Sequence, residues 1–193
     1  MAVLRAMSFS NKASLLGYNI KGLLICLLMG VAGASRAQWF LPESVGARGG
    51  FSFGGSRTPE FSQAEGFIDW NLPWKTESEK GWFLQTKLNL SAGWMDANSI
   101  GAFEGTIGPA VALGHRHFPL SLEGGVGPAY ISHYRFGGAN FGENFQFTSY
   151  LGVNFDLTPH WRLGYRYQHM SNAGLAPSNP GLNLNMFALS YVF

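Results

Sequence analysis

His169 and Ser171 stand two residues apart at the end of an alternating segment, residues 161–171. If that segment is a β-strand, both side chains leave it on one face, roughly 7 Å apart at their Cα atoms. A bend at the strand end would bring them into hydrogen-bond contact, which a serine nucleophile and its general base require. The pair is therefore a candidate for nucleophilic catalysis.

The face that carries this pair is apolar. Reading back from Ser171 in steps of two gives His169 and then Tyr167, Tyr165, Leu163 and Trp161. The opposite face carries Met170, Gln168, Arg166, Gly164 and Arg162. In a soluble protein the apolar face would lie in the core, whereas in a membrane barrel it would face lipid.

The N-terminus has the features of a secretory signal peptide. Basic residues at positions 5, 12 and 21 precede an apolar stretch, residues 22–33, and the small residues Ser35 and Ala37 follow it. We expect cleavage after Ala37, so that residues 1–37 are the signal peptide and residues 38–193 the mature domain. The apolar stretch is too short to be a membrane-spanning helix.

Removal of this segment changes what the composition implies. The one cysteine, Cys26, lies within it, so disulfide bonds cannot stabilise the mature domain. Four of the thirteen basic residues are also lost, which leaves nine against eleven acidic residues and a net charge of about −2. The basic character of the full chain therefore belongs to the signal peptide, and no nucleic-acid partner is predicted.

Eight segments of the mature domain alternate between apolar and polar residues with a period of two, which is typical of β-strands. They are residues 45–54, 66–74, 82–94, 101–114, 120–133, 144–157, 161–171 and 183–193. Turn-forming residues separate them, and no segment has a helical period. The sequence predicts an all-β fold.

A soluble β-sandwich would alternate in the same way, but three features favour a membrane barrel. The polar face carries mainly small polar side chains, as an eight-stranded lumen requires. Trp82 and Trp94 bracket an apolar stripe that would span roughly 30 Å, comparable with the apolar band of an outer-membrane protein. The chain stops on Phe193 after an unbroken alternation, which resembles the signal read by the barrel-assembly machinery. We therefore predict an eight-stranded antiparallel outer-membrane β-barrel.

The barrel prediction places the candidate pair at a specific surface. An even number of strands puts both chain ends in the periplasm, so the connection 172–182 is expected on the outside. His169 and Ser171 would then lie at the outer rim and face the lipopolysaccharide leaflet. Four charged residues occupy strand positions whose side chains alternate toward the lumen, and they are expected to form a structural ion-pair network: Glu104, Glu123, Arg162 and Arg166.

The residues around this pair resemble a known family. The string His169-Met-Ser-Asn-Ala-Gly-Leu175, followed by Asn179-Pro-Gly-Leu-Asn183, is similar to the lipid A 3-O-deacylase (PagL) family of outer-membrane hydrolases. The resemblance is strongest over residues 161–193. Elsewhere it consists of the barrel pattern and the run 67–74.

The resemblance implies a role for each residue of the motif. Ser171 would attack the ester carbonyl at the 3-position of a lipid A glucosamine, and His169 would act as the general base and acid. Asn172 matches a family position associated with stabilising the oxyanion. Gly174 is assigned with it to the oxyanion and substrate-binding group. Lipid A would be the substrate, with no cofactor and no metal.

The third member of the family pattern differs in this chain. The family carries a glutamate two residues after the loop glycine, whereas this chain has Asn183, two residues after Gly181. No Asp or Glu follows Asp156. An amide oxygen can still orient an imidazole, as the asparagine of papain-like proteases does. We therefore expect a slower reaction with Asn183 as the third member, on the same face as His169.

Two other functions remain open at this point. One is a non-catalytic small outer-membrane barrel, an adhesin or structural protein, that carries the motif for structural reasons. The other is a phospholipase that uses the same Ser/His pair. The sequence also leaves open whether the protein forms a homodimer.

Overall fold

The computed structural model describes residues 41–53 and 59–193. These ranges form ten strands: β1 (Ser44–Phe51), β2 (Ser62–Glu77), β3 (Trp82–Ala97), β4 (Ile100–His115), β5 (Phe118–Ile131), β6 (Arg135–Phe136), β7 (Ala139–Asn140), β8 (Phe145–Asp156), β9 (Trp161–Ser171) and β10 (Leu182–Val192). No helix within them is long and apolar enough to cross a membrane. The predicted signal peptide, residues 1–37, lies outside the described residues and stays a prediction.

Eight of the strands close into a barrel, in the order β1-β10-β9-β8-β5-β4-β3-β2. All neighbours are antiparallel, and β1 pairs with β10 from Ser44–Val192 to Phe51–Asn185. Closure leaves no barrel strand with an unpaired edge. β6 and β7 form a separate small hairpin. The predicted eight-stranded antiparallel barrel is confirmed.

The ends of the strands differ from the predicted ones. β2 begins at Ser62 and ends at Glu77, and β3 continues to Ala97, so both extend beyond the segments that alternate clearly. Main-chain pairing needs no apolar alternation, so a ladder can continue past the apolar part of the wall. β1 is shorter than predicted and ends at Phe51. The predicted end at residue 54 lies outside the described residues.

The barrel has two distinct rims and an apolar outer wall. The proximal rim lies at the chain ends, near Ser44 and Val192, and the distal rim lies where β9 leads into β10. Trp82 and Trp94, at the proximal and distal ends of β3, are 54% and 57% exposed. Exposed aliphatic side chains lie between these rims, among them Leu90, Ile107, Val126, Leu151 and Leu189. This band of exposed apolar residues is the surface that a membrane-embedded barrel presents to lipid.

The middle of the lumen is filled by buried charges. Glu65 accepts a hydrogen bond from Arg48 Nε, and its Oε1 lies 2.8 Å from Arg166 Nη2. Arg48 Nη2 also donates to Asn89 Oδ1 at 3.0 Å. These contacts offset the cost of removing the charges from water. Arg166 is thus paired as predicted, whereas Glu104 lines the same lumen without an ion pair to any described residue.

A second group of charges lies nearer the proximal rim. Lys87 Nζ lies 3.3 Å from Glu43 Oε2 and 3.3 Å from Glu123 Oε2, and Arg162 Nη1 lies 2.8 Å from Glu43 Oε1. Glu43 precedes β1. Burial opposes its ionisation, but the charges of Lys87 and Arg162 outweigh burial and hold the pKa of the Glu43 carboxyl below its usual range. Glu123 and Arg162 are therefore also paired as predicted.

The distal mouth of the lumen is closed by apolar side chains. The connection between β5 and β8, residues 132–144, contains the β6–β7 hairpin and is called the cap loop. Its Phe136 and Phe141 pack against Phe61, with ring centroids 5.1–6.1 Å apart. Methionine and leucine side chains of β3, β9 and β10 complete this buried cluster. The sequence predicted only turn-forming residues between the strands and mainly small polar side chains in the lumen, so this plug was missed.

Candidate active site

His169 and Asn183 face each other across β9 and β10 at the distal rim. They are direct cross-strand partners, and both side chains are exposed on the outer wall. The His169 Nδ1 atom lies 2.7 Å from Asn183 Oδ1. Because an amide oxygen can only accept, Nδ1 carries the proton in this contact, and in a neutral imidazole the lone pair is then on Nε2. The imidazole is thus oriented with its basic nitrogen away from Asn183.

Ser171 is the last residue of β9 and lies on the same outer face as His169 by the alternation of the strand. It pairs with Phe147 of β8 and is half-buried. Among the described residues, no hydrogen bond joins its hydroxyl to the imidazole. Nucleophile–base contacts are commonly long in a free enzyme and tighten when substrate binds. The structure therefore brings His169 and Asn183 into contact and places Ser171 beside them.

Gly181 borders the free edge of the imidazole. A Cβ atom at this position would lie 3.1 Å from His169 Cε1 and 3.8 Å from His169 Nε2. The φ angle of Gly181 is 68°, a left-handed conformation that favours glycine. Glycine here both completes the turn into β10 and leaves room beside the basic nitrogen.

Asn172 points the opposite way from its neighbour Ser171 and is completely buried. Its Nδ2 donates to Phe141 O at 2.9 Å and to Ser178 O at 2.8 Å, and its Oδ1 accepts from Gly174 N at 2.8 Å. Both amide hydrogens are therefore in use. The side chain is turned into the barrel mouth, so the predicted oxyanion role of Asn172 gains no support from its side-chain geometry and stays a prediction.

Among residues 172–175, directly after Ser171, the main chain offers one free donor. Asn172 N donates to Asn179 Oδ1 at 3.3 Å, Gly174 N to the Asn172 side chain, and Leu175 N to Asn172 O at 3.0 Å. Among the described residues, no acceptor is bound by the N–H of Ala173, which has a left-handed φ of 53°. No atom lies within 4 Å of a Cβ placed on Gly174, so a ligand can approach the loop there. Gly174 as a substrate-binding residue stays a prediction.

Two residues of the site were missed in the sequence. Gly181 and Asn179 belong to the Asn-Pro-Gly string, which indicates a turn but not what the turn contacts. Their contacts with His169 and Asn172 depend on how the ends of β9 and β10 are paired. Within 41–53 and 59–193, no three His, Cys, Asp or Glu residues converge as metal ligands.

The closed barrel, its apolar outer band and the Ser/His/Asn group at one rim define a class of protein, a membrane β-barrel with a hydrolase-like site on its lipid-facing wall. The particular family follows from comparison with known proteins. The model of the lipid A 3-O-deacylase (PagL) family matches residues 63–192, and the chain belongs to this family. The resemblance seen in the motif is confirmed.

Two relatives extend this comparison. The chain is 40% identical over 72 residues to the lipid A deacylase PagL of Bordetella bronchiseptica (strain ATCC BAA-588 / NCTC 13252 / RB50). That match covers 37% of this chain and 40% of the relative, so less than half of the relative's length is spanned. The chain is also similar to the crystal structure of the outer membrane enzyme PagL, with a TM-score of 0.66 and 18% identity over 78% of this chain and 99% of that one. The second likeness shows a shared fold.

Proposed function

We propose that this chain is an outer-membrane esterase that removes the 3-O-linked hydroxyacyl chain from lipid A. The observation that carries the proposal is the 2.7 Å contact between His169 Nδ1 and Asn183 Oδ1, on the outer wall two residues from Ser171. This contact gives the imidazole the orientation of a general base. Membership of the lipid A 3-O-deacylase family supports lipid A as the substrate.

The first half of the reaction transfers the acyl chain to the protein. Ser171 Oγ attacks the ester carbonyl carbon, and its proton passes to His169 Nε2. The tetrahedral intermediate then collapses, the bond to the 3-oxygen of the sugar breaks, and the imidazolium returns the proton to that oxygen. Asn183 keeps the imidazole oriented throughout, without the charge that a carboxylate would supply.

The second half releases the fatty acid. Water attacks the carbonyl carbon of the acyl-Ser171 ester while His169 Nε2 takes a proton from the water. Collapse breaks the bond to Ser171 Oγ, which receives the proton back from the imidazolium. The products are a free hydroxy fatty acid and lipid A with a free 3-hydroxyl, and the site returns to its starting state.

The proposed location is the outer membrane, with the distal rim facing outward. The apolar outer band supports embedding in lipid, and an even number of barrel strands keeps both chain ends on one side. A signal peptide at residues 1–37 would deliver the chain through the inner membrane, and the barrel-assembly machinery would insert it. His169 and Ser171 would then meet the leaflet that contains lipid A.

The test is mass spectrometry of lipid A from cells with and without the protein, and from purified protein with purified lipopolysaccharide. We expect a loss of mass equal to one hydroxyacyl chain. Ser171→Ala and His169→Ala should each lower the rate by about a thousandfold or more. The barrel should stay folded in both variants, as shown by heat-modifiable migration, because neither side chain lies in the lumen.

Ser149→Ala provides a matched control. Ser149 is an exposed serine on β8, directly opposite His169, so it is the nearest rival nucleophile. Activity should survive this change, and its loss with Ser171→Ala still active would assign the nucleophile to Ser149. Release of fatty acid from phospholipid vesicles with lipid A unchanged would instead identify a phospholipase. Absence of both reactions, and of Ser171 labelling by a fluorophosphonate, would indicate a non-catalytic barrel.

A further inference from the structure

The loop that follows the nucleophile, residues 172–181, is called the site loop, and it lies on the cap loop. The pairing of β9 with β8 ends at Ser171, opposite Phe147. Beyond that pair, Asn172 is the first residue held by other means, through its buried amide bonded to Phe141 O and Ser178 O. One peptide bond therefore separates the nucleophile from an anchor fixed to the cap loop.

The cap loop makes a second close contact with the site loop, at Gly142. Gly142 has a φ of 84°, and a Cβ on it would lie 2.6 Å from both Ala176 Cβ and Ser178 O and 2.9 Å from Asn172 Nδ2. Ser178 Oγ also donates to Asn140 O at 2.6 Å. The two loops thus fit together with no room for even one methyl group at Gly142.

The cap loop is itself held by the apolar plug. Phe141, whose carbonyl receives the Asn172 amide, is completely buried with its ring packed against Phe61 and Phe136. A close-packed cluster transmits a displacement instead of absorbing it. The interior of the barrel is therefore connected to the outer-wall site through the contacts between the two loops, among them the buried Asn172 amide.

We propose that the cap loop is a positioning element for Ser171, and that Gly142 and Asn172 are positioning residues that act through it. This inference rests on the proposed function for its lipid A measurements. The Asn172 side chain is completely buried and hydrogen-bonded to the two loops, and Gly142 belongs to the cap loop. A shift of the nucleophile by about 1 Å can cost about a hundredfold in rate. A small displacement of the cap loop, on which the site loop packs, is therefore sufficient to lower the rate.

The deciding variant is Gly142→Ala, with two glycines of the same cap loop as controls. Gly138→Ala adds a methyl group where no atom lies within 4 Å. Gly137→Ala adds it at another left-handed position, φ 60°, where the nearest atom is the terminal nitrogen of the Asn98 side chain. The controls therefore reproduce the added methyl group and the backbone strain without crowding Asn172.

Two measurements distinguish an effect on the position of Ser171 from an effect on the stability of the barrel. The first is kcat and KM on lipid A; the second is the rate at which a fluorophosphonate labels Ser171, counted only for folded barrel on a gel. Gly142→Ala should lower both kcat and the labelling rate by about tenfold or more, with KM within about twofold. Gly137→Ala and Gly138→Ala should stay within about twofold of wild type. A folded Gly142→Ala protein with wild-type labelling and kcat, or with a change in KM alone, would overturn the proposal.

A milder variant covers the case in which Gly142→Ala does not fold. Ser178→Ala removes the bond to Asn140 O without adding bulk, and it should lower labelling and kcat together by about threefold. Equal labelling of Ser178→Ala and wild type would then refute the proposal. The labelling reaction uses no lipid A, so a wrong substrate assignment would leave its result valid. Failure of wild-type Ser171 to react with either reagent would refute both the proposed function and the positioning role.

Discussion

The lumen of this barrel is filled in two different ways along its length. From the middle to the proximal rim it contains buried ion pairs, centred on Glu65 and on Glu43. At the distal mouth it contains phenylalanine, methionine and leucine side chains from the cap loop and the adjoining strands. The candidate site lies at this second end, on the outside of the wall.

The charged side chains and the candidate site lie in different parts of the molecule. The charged network lies inside the barrel, and two of its pairs, Arg166–Glu65 and Arg162–Glu43, join residues that are 101 and 119 positions apart in the chain. The site is made of an imidazole, an amide and a hydroxyl, with no carboxylate among them, which suits a surface that faces lipid. Substitutions in the proximal region should therefore change stability, and substitutions at the distal rim should change rate.

The largest effect is expected at Glu65, and it should be on stability alone. Glu65→Gln keeps the size of the side chain but leaves Arg48 and Arg166 buried without their counter-charge. We expect the free energy of unfolding to fall by about 3–5 kcal/mol, with activity per folded molecule unchanged. Urea unfolding followed by tryptophan fluorescence measures the first, and lipid A deacylation the second.

The control for that change is Glu77→Gln, because Glu77 pairs with Lys75 and Arg116 on the exposed surface. It should alter the free energy of unfolding by less than about 1 kcal/mol. A cost below about 1 kcal/mol at Glu65 as well would mean that the lumen is hydrated and that the two regions differ less than their contacts indicate.

Two glycines, one at each rim, test whether substitutions at the distal rim change the rate and those at the proximal rim do not. Gly181→Ala would crowd His169 Cε1, and Gly81→Ala, at the proximal rim with φ 88°, would crowd Arg116 Nε at 3.2 Å. Both impose the same left-handed strain. We expect kcat to fall by about tenfold to a hundredfold at Gly181 and to stay unchanged at Gly81, measured on folded protein. Equal loss at both rims would show a general effect of backbone strain.

Asn183 tests what an uncharged third member contributes. Asn183→Ala should lower kcat by about tenfold, less than the loss expected at Ser171, because the amide only orients the imidazole. Asn183→Glu should give activity at least equal to wild type, since a carboxylate orients His169 and also stabilises its protonated form. Wild-type activity in Asn183→Ala together with loss in Asn183→Glu would exclude it as the third member. The next amide along the strand, Asn185, already accepts a hydrogen bond from Tyr165 Oη at 2.8 Å.

The smallest effect is expected at Glu43 and depends on pH. Its folded-state pKa lies below the usual value of 4.5, so its ion pairs contribute stability at neutral pH that is lost as the pH falls below about 4.5 and through the folded pKa. Glu43→Gln should therefore be less stable than wild type near pH 7, and the difference should shrink as the pH falls below about 4.5. Urea unfolding at several pH values measures it, and a difference that is constant with pH would contradict the assigned ion pairs.

Much of the barrel could be predicted because period-two alternation is a local property of the chain. The eight strands follow from that alternation, and the outward faces of His169 and Asn183 follow from counting residues along β9 and β10. The family resemblance implied Asn183 as the third member, and the structure has its Oδ1 atom 2.7 Å from His169 Nδ1.

The cap loop and the partner of each lumen charge could not be predicted in this way. Phe61, Phe136 and Phe141 follow no period that marks them as inward-facing. The bond between Asn172 and Phe141 O joins residues 31 apart, and the one between Arg166 and Glu65 joins residues 101 apart. Such contacts depend on the stagger of the closed barrel, which no single segment encodes.

A site on the outer wall determines which concentration of substrate controls the rate. In the proposed function, the lipid substrate would diffuse in the plane of a leaflet and reach the rim from the side, so encounter would be a two-dimensional search. The rate should follow the mole fraction of lipid A among the surrounding amphiphiles, whatever its amount per volume of solution. Added detergent would then slow turnover by surface dilution alone, and the released fatty acid would stay in the same layer as a competitor.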